Sequence, residues 1–428
     1  MFARSKTKVA RRRVFYIPGY DPNPPRRYRE LYRTESQKQA AISGYRIDQK
    51  LGRGDTGWRV RSEINGETVQ TKIDVLVWHD LVQGSMKGGI PGTYFALLRT
   101  AWLYISSGTL RRLAWLSRGP VLAALYPVTM LLGQLLLAVL GASLLAGTAG
   151  YLTFRGGEFL TGLIGVAPDT SGFVWTLVGA MIFWLIFLPA VVISLRWFKS
   201  KDDKTFAYYL MNDYAYTASR RGAYPDEIEA RLHEFRYRIE AALREDIDEV
   251  LIVGHSSGAQ MAVSIVADII RLKRFQGGGP ALSLLTLGQV IPMVSFLPDA
   301  RRIRRDLRLL STSEEITWID VSAPGDGCSF ALSDPVSVSG VAPPRGQQWP
   351  LILSAAFSKT LQADTYKALK RRYFRLHFQY LCAFDNPDAY DYFKITAGPL
   401  TLGARFRGRK PSRSRIDVPA SRFTSTVT

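Results

Sequence analysis

A serine stands between two glycines in the pentapeptide Gly254-His255-Ser256-Ser257-Gly258. An apolar run precedes the pentapeptide and a helical pattern follows it. A sharp strand-to-helix turn of this type holds its middle serine in a strained conformation above a sheet, and its glycines avoid collisions between a Cβ and neighbouring backbone. Ser256 is therefore the candidate nucleophile, and the Ser257 N–H is a candidate donor to a developing oxyanion. The alternative is an ordinary glycine-rich turn.

Alternating strand and helix patterns surround the pentapeptide. Residues 250–253 form a continuous run rich in β-branched side chains, which is typical of a strand buried in a parallel sheet. Further strand patterns at 282–287 and 316–321 alternate with helical patterns at 257–272 and 299–310. Repeated strand–helix units predict an α/β fold with a mostly parallel, doubly wound sheet.

The first part of the chain adds strands to this fold. Residues 14–17 are a short apolar run stopped by Pro18-Gly19, as expected of a buried strand that ends in a tight loop. A helix is predicted at 26–42. The alternating residues on either side of Asn65-Gly66 predict a β-hairpin with a type I′ turn, and residues 75–78 indicate one more apolar strand.

The pentapeptide and its strand–helix setting resemble those of the α/β-hydrolase superfamily, and the chain is interpreted as a bacterial, membrane-anchored member. The resemblance covers residues 14–80 and 204–400. In that family a second oxyanion donor comes from a loop after an earlier strand, usually written His-Gly. Residues 17–20, with a proline in place of the histidine, stand in the matching position, so the resemblance implies that the Tyr20 N–H is the second donor. Family members usually have a strand hairpin before that loop, whereas here the hairpin follows it.

The resemblance also implies a catalytic triad in the chain order Ser, then Asp or Glu, then His. One histidine follows Ser256, so this order assigns the base to His377. A serine hydroxyl needs a base to take its proton, and the base needs an acid to fix its tautomer and to stabilise the imidazolium. A histidine packed among its aromatic neighbours is the alternative interpretation of His377. His79, at the end of an apolar run, is the reserve base.

The candidate acid follows the strand pattern at 316–321. Asp326 lies in the loop after that strand, at the sheet edge where sites gather in α/β folds. Asp320, within the strand, and Asp334, further along the chain, are the alternatives. The resemblance implies no cofactor, and the two cysteines and four histidines lack the spacing of a metal site.

Two long segments, 119–154 and 170–195, carry no charged residue. A helix needs about 20 apolar residues to span a bilayer, so the sequence predicts transmembrane helices at 120–150 and 171–195. The alternative is a pair of buried core helices. Residues 155–169 would form the connecting turn. A close-packed hairpin is favoured by small residues of the first span, namely Gly133, Gly141, Ala142 and Ala146.

Basic residues flank both predicted spans, whereas the connecting turn has only Arg155. By the positive-inside rule both flanks are cytoplasmic. The sequence therefore predicts a multi-pass protein of the bacterial inner (plasma) membrane, with the hydrolase-like part on the cytoplasmic side. The flanking basic residues are Arg99, Arg111, Arg112, Arg118, Arg196, Lys199, Lys201 and Lys204.

These patterns divide the chain into four parts. Residues 1–94 and 204–404 are expected to form the two parts of a hydrolase domain, and 95–203 the membrane insert. The remaining residues, 405–428, are rich in Arg, Ser and Pro and have little to bury. They are predicted to form a basic, disordered tail.

The composition limits the possible partners. The 428 residues include 56 Lys and Arg against 36 Asp and Glu, a formal charge of +20, and 47% of the residues are hydrophobic. The apolar share excludes a wholly disordered chain, and the charge favours an anionic partner. The anionic cytoplasmic leaflet of a lipid bilayer is the expected partner. Nucleic acid is disfavoured, because the basic residues 301–305 suit phospholipid headgroups equally well.

Together these features predict a membrane-anchored serine hydrolase of the esterase, lipase or thioesterase type. The expected substrate is a lipid-like acyl ester or thioester, cleaved through an acyl-enzyme at Ser256. The alternative, from another class, is a catalytically inactive hydrolase fold that serves as a membrane adaptor or binding module, because fold does not imply function. The proline in place of the loop histidine favours that alternative.

Overall fold

The computed structural model divides the chain into two compact units. The sheet unit comprises 1–85, 100–123 and 216–428, and the helical unit comprises 86–99 and 124–215. Within them the structure describes residues 6–20, 24–52, 57–78, 80–81, 84, 88–165, 168–274, 278–388 and 390–427, with backbone alone for 168–171.

The insert expected at 95–203 has different boundaries. Residues 100–123 belong to the sheet unit. There the Tyr104 hydroxyl donates a 2.8 Å hydrogen bond to Met293 O. This buried polar contact joins the segment to the rest of the sheet unit.

An eight-stranded sheet organises the sheet unit. In space its strands follow the order β2-β3-β4-β1-β5-β6-β7-β8. β3 pairs antiparallel with both β2 and β4. Every other neighbouring pair in this order, from β4–β1 to β7–β8, is parallel. The predicted α/β class with a mostly parallel sheet is confirmed. The strands are β1 Arg11–Ile17, β2 Arg46–Leu51, β3 Gly57–Ile64, β4 Glu67–Val75, β5 Glu249–His255, β6 Ala281–Leu287, β7 Ile316–Ser322 and β8 Leu351–Ser354.

The β3–β4 hairpin turns at Asn65 and Gly66, whose φ angles of 55° and 75° are those that a type I′ turn requires. The separate strand expected at 75–78 does not form, because Val75 is the last residue of β4 and residues 76–78 lie outside the strand. The sequence analysis did not predict β2, because its alternating polar residues form no apolar run. Every residue of β5 is buried, as expected of a central parallel strand.

Helices of very different lengths connect the strands. The longest two, α4 and α5, follow one another in the chain, and α9 follows β5 directly. The helices are α1 Arg26–Ser43, α2 Gly89–Ser106, α3 Thr109–Leu116, α4 Arg118–Leu163, α5 Pro168–Ser200, α6 Asp202–Thr205, α7 Ala207–Ala218, α8 Asp226–Ala242, α9 Gly258–Arg271, α10 Ile291–Ser295, α11 Arg301–Ser311, α12 Pro335–Val338, α13 Phe357–Thr360, α14 Ala363–Leu369, α15 Tyr373–His377, α16 Tyr392–Ala397 and α17 Leu402–Arg405. Short 3₁₀ turns lie at Ser219–Gly222 and Phe378–Leu381.

Two helices are long and apolar enough to cross a membrane. They are α4 and the Gly172–Ser200 part of α5. Only 22% and 6% of their most apolar stretches are buried. Such exposure is not expected of core helices in a soluble protein, whose apolar side chains are mostly inside.

The two long helices meet at a pair of glycines. A Cβ on Gly150 would lie 2.9 Å from Gly179 O, and a Cβ on Gly179 would lie 3.0 Å from Gly150 O. The buried stripe that leads to this crossing has four-residue spacing and consists of Gln134, Ala138, Ala142 and Ala146. Of the small residues expected at the contact, Ala142 and Ala146 are buried, whereas a Cβ on Gly133 or Gly141 would have nothing within 4 Å.

The turn expected at 155–169 is much shorter in the structure. α4 continues as a helix to Leu163 and α5 begins at Pro168. A Cβ on Gly157 would overlap the Trp175 ring. Gly157 therefore permits a close contact between the two helices.

The tail expected to be disordered, 405–428, is hydrogen-bonded to the rest of the sheet unit as far as Ser425, whose carbonyl accepts from Arg304 Nε. Ser412 N donates to Ile352 O over 2.9 Å, and Ala420 N donates to Val338 O over 3.0 Å. The prediction of disorder is wrong because backbone hydrogen bonds, rather than a run of apolar side chains, hold this segment in place. Composition gives no signal for such bonds.

Candidate active site

The pentapeptide forms the turn between β5 and α9. Ser256 has a φ of 55°, in the left-handed region that residues other than glycine rarely adopt. Its N–H donates a 2.9 Å hydrogen bond to Leu287 O at the end of β6. A Cβ on Gly254 would lie 2.7 Å from Ala259 Cα. The first glycine therefore allows the helix to leave the strand at this sharp angle.

The loop after β1 lies against this turn. A Cβ on Gly258 would overlap the Pro18 carbonyl, and a Cβ on Gly19 would lie 2.9 Å from Ser256 Cβ. The Trp78 indole N–H holds the loop by donating a 3.1 Å hydrogen bond to Pro18 O. Glycines on both sides therefore bring the loop into direct contact with the candidate nucleophile.

The expected second oxyanion donor is engaged in another hydrogen bond. Tyr20 N–H donates to the buried Ser257 Oγ over 2.8 Å. Because Ser257 supplies both this acceptor and the other expected donor, its own N–H, the two donors lie close together. The Tyr20 N–H therefore lies beside the turn, where the Ser257 hydroxyl occupies it.

His377 and Asp326 form a buried hydrogen-bonded pair. His377 Nδ1 lies 2.8 Å from Asp326 Oδ2. A neutral imidazole that donates from Nδ1 carries its acceptor lone pair on Nε2. His377 Nε2 is buried, and it has no hydrogen-bond partner among the residues that the structure describes. The imidazole is therefore held by the carboxylate with its basic nitrogen available to a further group.

Two further groups hold the Asp326 carboxylate. The Tyr380 hydroxyl donates to Asp326 Oδ2 over 2.9 Å, and Cys328 N–H donates to Oδ1 over 3.0 Å. The Tyr380 oxygen in turn accepts a hydrogen bond from Ala323 N–H. Burial alone raises the pKa of Asp326, but the charge and hydrogen bond of His377 and the Cys328 N–H lower it, and the net effect is a pKa below the ordinary value.

The two alternative acids face other partners. Asp320 Oδ1 accepts a 2.6 Å hydrogen bond from the Thr286 hydroxyl within the sheet. Burial raises the pKa of Asp320 to about 7, against the effect of that bond. Asp334 caps α12 by accepting from Val336 N–H. Of the three aspartates, Asp326 is the one that the structure brings to His377.

His255 has a position that the sequence analysis did not foresee. Its ring stacks on His377 with 4.8 Å between the two ring centroids. Its Nε2 lies 3.1 Å from His377 O, and its Nδ1 lies 3.2 Å from the Tyr16 hydroxyl. Burial lowers the pKa of His255 to about 3, so the ring is neutral at physiological pH. His79, the reserve base, lies outside the described residues.

Gly288 connects the turn to the histidine–aspartate pair. It follows Leu287, the acceptor of the Ser256 N–H, and has a φ of 50°. A Cβ there would lie 3.1 Å from His377 Cε1 and 3.2 Å from Asp326 Oδ2. Ser256 and Asp326 follow the carboxyl ends of β5 and β7, and Gly288, after β6, lies beside Asp326 and the His377 ring of α15. The three residues therefore lie at one edge of the sheet, where Ser256 Oγ is not hydrogen-bonded to His377 Nε2.

The roles of Gly288 and Tyr380 at this edge were not predicted, and His255 was predicted only as part of the turn. Tyr380 follows His377 by three residues, a spacing that puts two side chains on one side of a helical turn. That spacing was the available signal for Tyr380, whereas the roles of His255 and Gly288 depend on strand pairing.

Comparison of the chain with protein-family models, with curated proteins and with solved structures found no match. In the described ranges, no group of three or more His, Cys, Asp and Glu side chains is placed to hold a metal ion. The function proposed next accordingly depends on the geometry of the site.

Proposed function

We propose that this protein is a serine hydrolase of the α/β-hydrolase type that cleaves an ester or thioester through an acyl-enzyme. The observation that carries the proposal is the Asp326–His377 hydrogen bond, which leaves His377 Nε2 without a partner among the described residues. This pair lies at the sheet edge where Ser256 has a strained φ. Strain at such a residue is a frequent mark of a functional site.

The proposed reaction begins with attack of Ser256 Oγ on the acyl carbon while its proton moves to His377 Nε2. Asp326, ionised because its pKa is low, stabilises the imidazolium. The Ser257 N–H donates to the oxyanion. The alcohol or thiol then leaves with the proton from His377, and water repeats the sequence to release the acid. Catalytic hydrogen bonds often tighten only in the substrate complex, so Ser256 Oγ is expected to reach His377 Nε2 there.

We also infer that α4 and α5 anchor the enzyme as a membrane hairpin with the sheet unit on the cytoplasmic side. The low burial of both helices supports this inference, as do the basic residues that flank them. A lipid-like acyl substrate is favoured, because an anchored enzyme meets membrane lipids at a high local concentration. A cysteine introduced into the α4–α5 connection tests this orientation with a thiol reagent that does not cross the membrane. Reaction only when the reagent is added from the cytoplasmic side would contradict it.

A fluorophosphonate probe tests the chemistry. Attack by an activated serine forms a phosphonyl ester and releases fluoride, so wild-type protein in isolated membranes is expected to be labelled. Ser256→Ala is expected to abolish labelling. Ser358→Ala, which removes an exposed hydroxyl from α13, is the matched control and is expected to be labelled as wild type. Equal labelling of wild type and Ser256→Ala would remove Ser256 from the mechanism.

A substrate series tests the acyl preference. Purified protein in detergent is offered p-nitrophenyl esters and acyl thioesters of increasing chain length. Under the lipid-like proposal, kcat/KM is expected to rise with acyl length. A preference for acetyl esters would retain the hydrolase but contradict the lipid-like substrate.

One observation favours the second candidate, an inactive binding module. The Tyr20 N–H is occupied by Ser257 Oγ, so one of the two expected oxyanion donors is not directed at a substrate. Loss of one such donor costs about 10²-fold to 10³-fold in rate. Absence of both probe labelling and ester turnover, with retained binding to anionic membranes, would support the binding module and contradict the hydrolase.

A further inference from the structure

A hollow of about 430 Å³ opens beside the last residue of β8. Leu353, Ser354 and Tyr390 line one part of it, and the tail segment 409–413 lines the rest. None of the described residues that line this hollow is acidic. Its cationic lining residues are Arg409, Lys410 and Arg413.

Hydrogen bonds fix the walls of this hollow. Ser412 N donates to Ile352 O over 2.9 Å, and Ser354 N donates to Ser412 Oγ over 3.0 Å. The buried Tyr390 donates its hydroxyl hydrogen to Tyr380 O over 2.6 Å. The tail segment therefore forms a wall tied to β8, and its cations are not carried on a free terminus.

The three cations of the hollow have no counter-charge. In the described part of the chain none of them forms an ion pair or a side-chain hydrogen bond. Arg415, outside the hollow, has such a partner, because it pairs with Asp417 at 2.9 Å. Like charges brought to one cavity repel each other, and a bound anion would remove that repulsion.

Two hydroxyl groups complete a donor set. Ser354 Oγ accepts from Ala356 N–H over 3.1 Å, and Ser412 Oγ accepts from Ser354 N–H. Because each oxygen accepts a backbone hydrogen bond, each retains its own hydrogen to donate. Two guanidinium groups, an ammonium and two hydroxyls form the donor set that phosphate oxygens require.

We propose that this hollow binds a phosphoryl group. The proposal goes beyond the hydrolase and does not require it. The phosphoryl group belongs either to a free phosphorylated molecule or to the headgroup of an anionic phospholipid. Tyr390 connects the hollow to the candidate active site, because Tyr380, whose carbonyl it holds, donates to Asp326.

Calorimetric titration of the full-length protein in detergent with inorganic phosphate, at constant ionic strength, tests the free form. Saturable binding is expected. Loss of one charge-assisted contact corresponds to about a tenfold loss of affinity or more, so Arg409→Gln and Arg413→Gln are each expected to bind at least tenfold more weakly. Arg407→Gln removes an exposed cation of the same tail outside the hollow and is expected to bind as wild type.

The headgroup form is tested with protein in nanodiscs that contain either phosphatidic acid or phosphatidylcholine, without free phosphate. Thermal stabilisation by phosphatidic acid that Arg413→Gln loses and Arg407→Gln keeps would assign the hollow to lipid. Saturable phosphate binding without that lipid effect would assign it to a free ligand. Equal effects of the Arg407 and Arg413 variants, or no response to either ligand, would overturn the proposal.

Ser256→Ala is expected to bind phosphate as wild type, which separates this site from the hydrolase. Equal circular dichroism of all variants without ligand excludes a folding defect.

Discussion

Two regions of the molecule depend on glycine because backbone approaches backbone. At the Ser256 turn, Gly258 lies against the loop carbonyls after β1, and at the helix crossing Gly150 lies against Gly179 O. The helix crossing consists of regular helix, and neither of its glycines has a positive φ. The turn instead has its strained φ at Ser256, the residue between the glycines. Close packing alone thus explains the glycines of the helix crossing. At the turn, the backbone conformation also sets the orientation of the Ser256 hydroxyl.

The difference shows what each region can lose. A larger residue at the crossing separates two helices and leaves the sheet edge as it is. A larger residue at the turn moves Ser256 relative to a histidine that is fixed by its own hydrogen bonds. Chemistry is sensitive to displacements of about 1 Å, to which helix packing adapts more easily.

Asp326→Asn is expected to have the largest effect, because it leaves the glycine contacts intact and changes the tautomer of His377. The rate of probe labelling is expected to fall by about 10⁴-fold. Stopped-time labelling at several probe concentrations measures it. Asp334→Asn, at an aspartate that caps α12, is expected to retain the wild-type rate within a factor of ten. A larger loss in Asp334→Asn than in Asp326→Asn would reassign the acid.

Gly258→Ala tests the turn itself. The new methyl group would overlap Pro18 O, so the loop or the turn must shift. A displacement of this size costs about 10²-fold in labelling rate. Gly92→Ala, where a Cβ meets nothing within 4 Å, is the control. Unchanged labelling in folded Gly258→Ala protein would show that the close contact does not position Ser256.

Gly150→Leu tests the crossing. The leucine side chain is expected to force α4 and α5 apart, because a Cβ at this position already approaches Gly179 O within 2.9 Å. Disulfide cross-linking between cysteines placed at Ala146 and Phe183 measures the separation. Gly141→Leu, in open space on the same helix, is expected to keep the cross-link. Loss of probe labelling along with the cross-link would show that the two regions are not independent.

Asp320→Asn has the smallest expected effect and concerns stability. The pKa of Asp320 in the folded protein is raised to about 7, above its value in the unfolded chain. The protonated side chain therefore contributes fully to the free energy of unfolding below about pH 4, and this contribution is lost as the pH rises through about 7. Asparagine is neutral throughout. The variant is expected to be more stable at pH 8 by as much as a few kcal/mol, since one pKa unit corresponds to about 1.4 kcal/mol.

Urea unfolding at pH 4, 6 and 8 measures this pH dependence. The free energy of unfolding of Asp320→Asn is expected to vary less between pH 4 and 8 than that of wild type. Asp48→Asn, at an exposed aspartate on β2, is the charge-matched control. Parallel pH curves for Asp320→Asn and wild type would show that Asp320 is ionised in the fold.

The sequence predicted the elements whose signals are local. The turn residues Asn65 and Gly66 indicated the hairpin, the apolar run before Gly254 indicated β5, and long uncharged segments indicated α4 and α5. Each signal depends on backbone conformation or on a continuous apolar stretch. Edge strand β2 and the packed tail were not predicted, because both are held by backbone hydrogen bonds, β2 to the neighbouring strand β3 and the tail to distant parts of the sheet unit.

By itself, the order of residues determined that a serine would stand at a strand-to-helix turn, because the steric demands of Gly254 and Gly258 are local. It also limited the base to a few histidines. Only the tertiary structure decided that Asp326, rather than Asp320 or Asp334, lies beside His377. The physical reason is that strand pairing brings loops separated by many residues to one edge, where a hydrogen bond depends on distances that no local pattern contains.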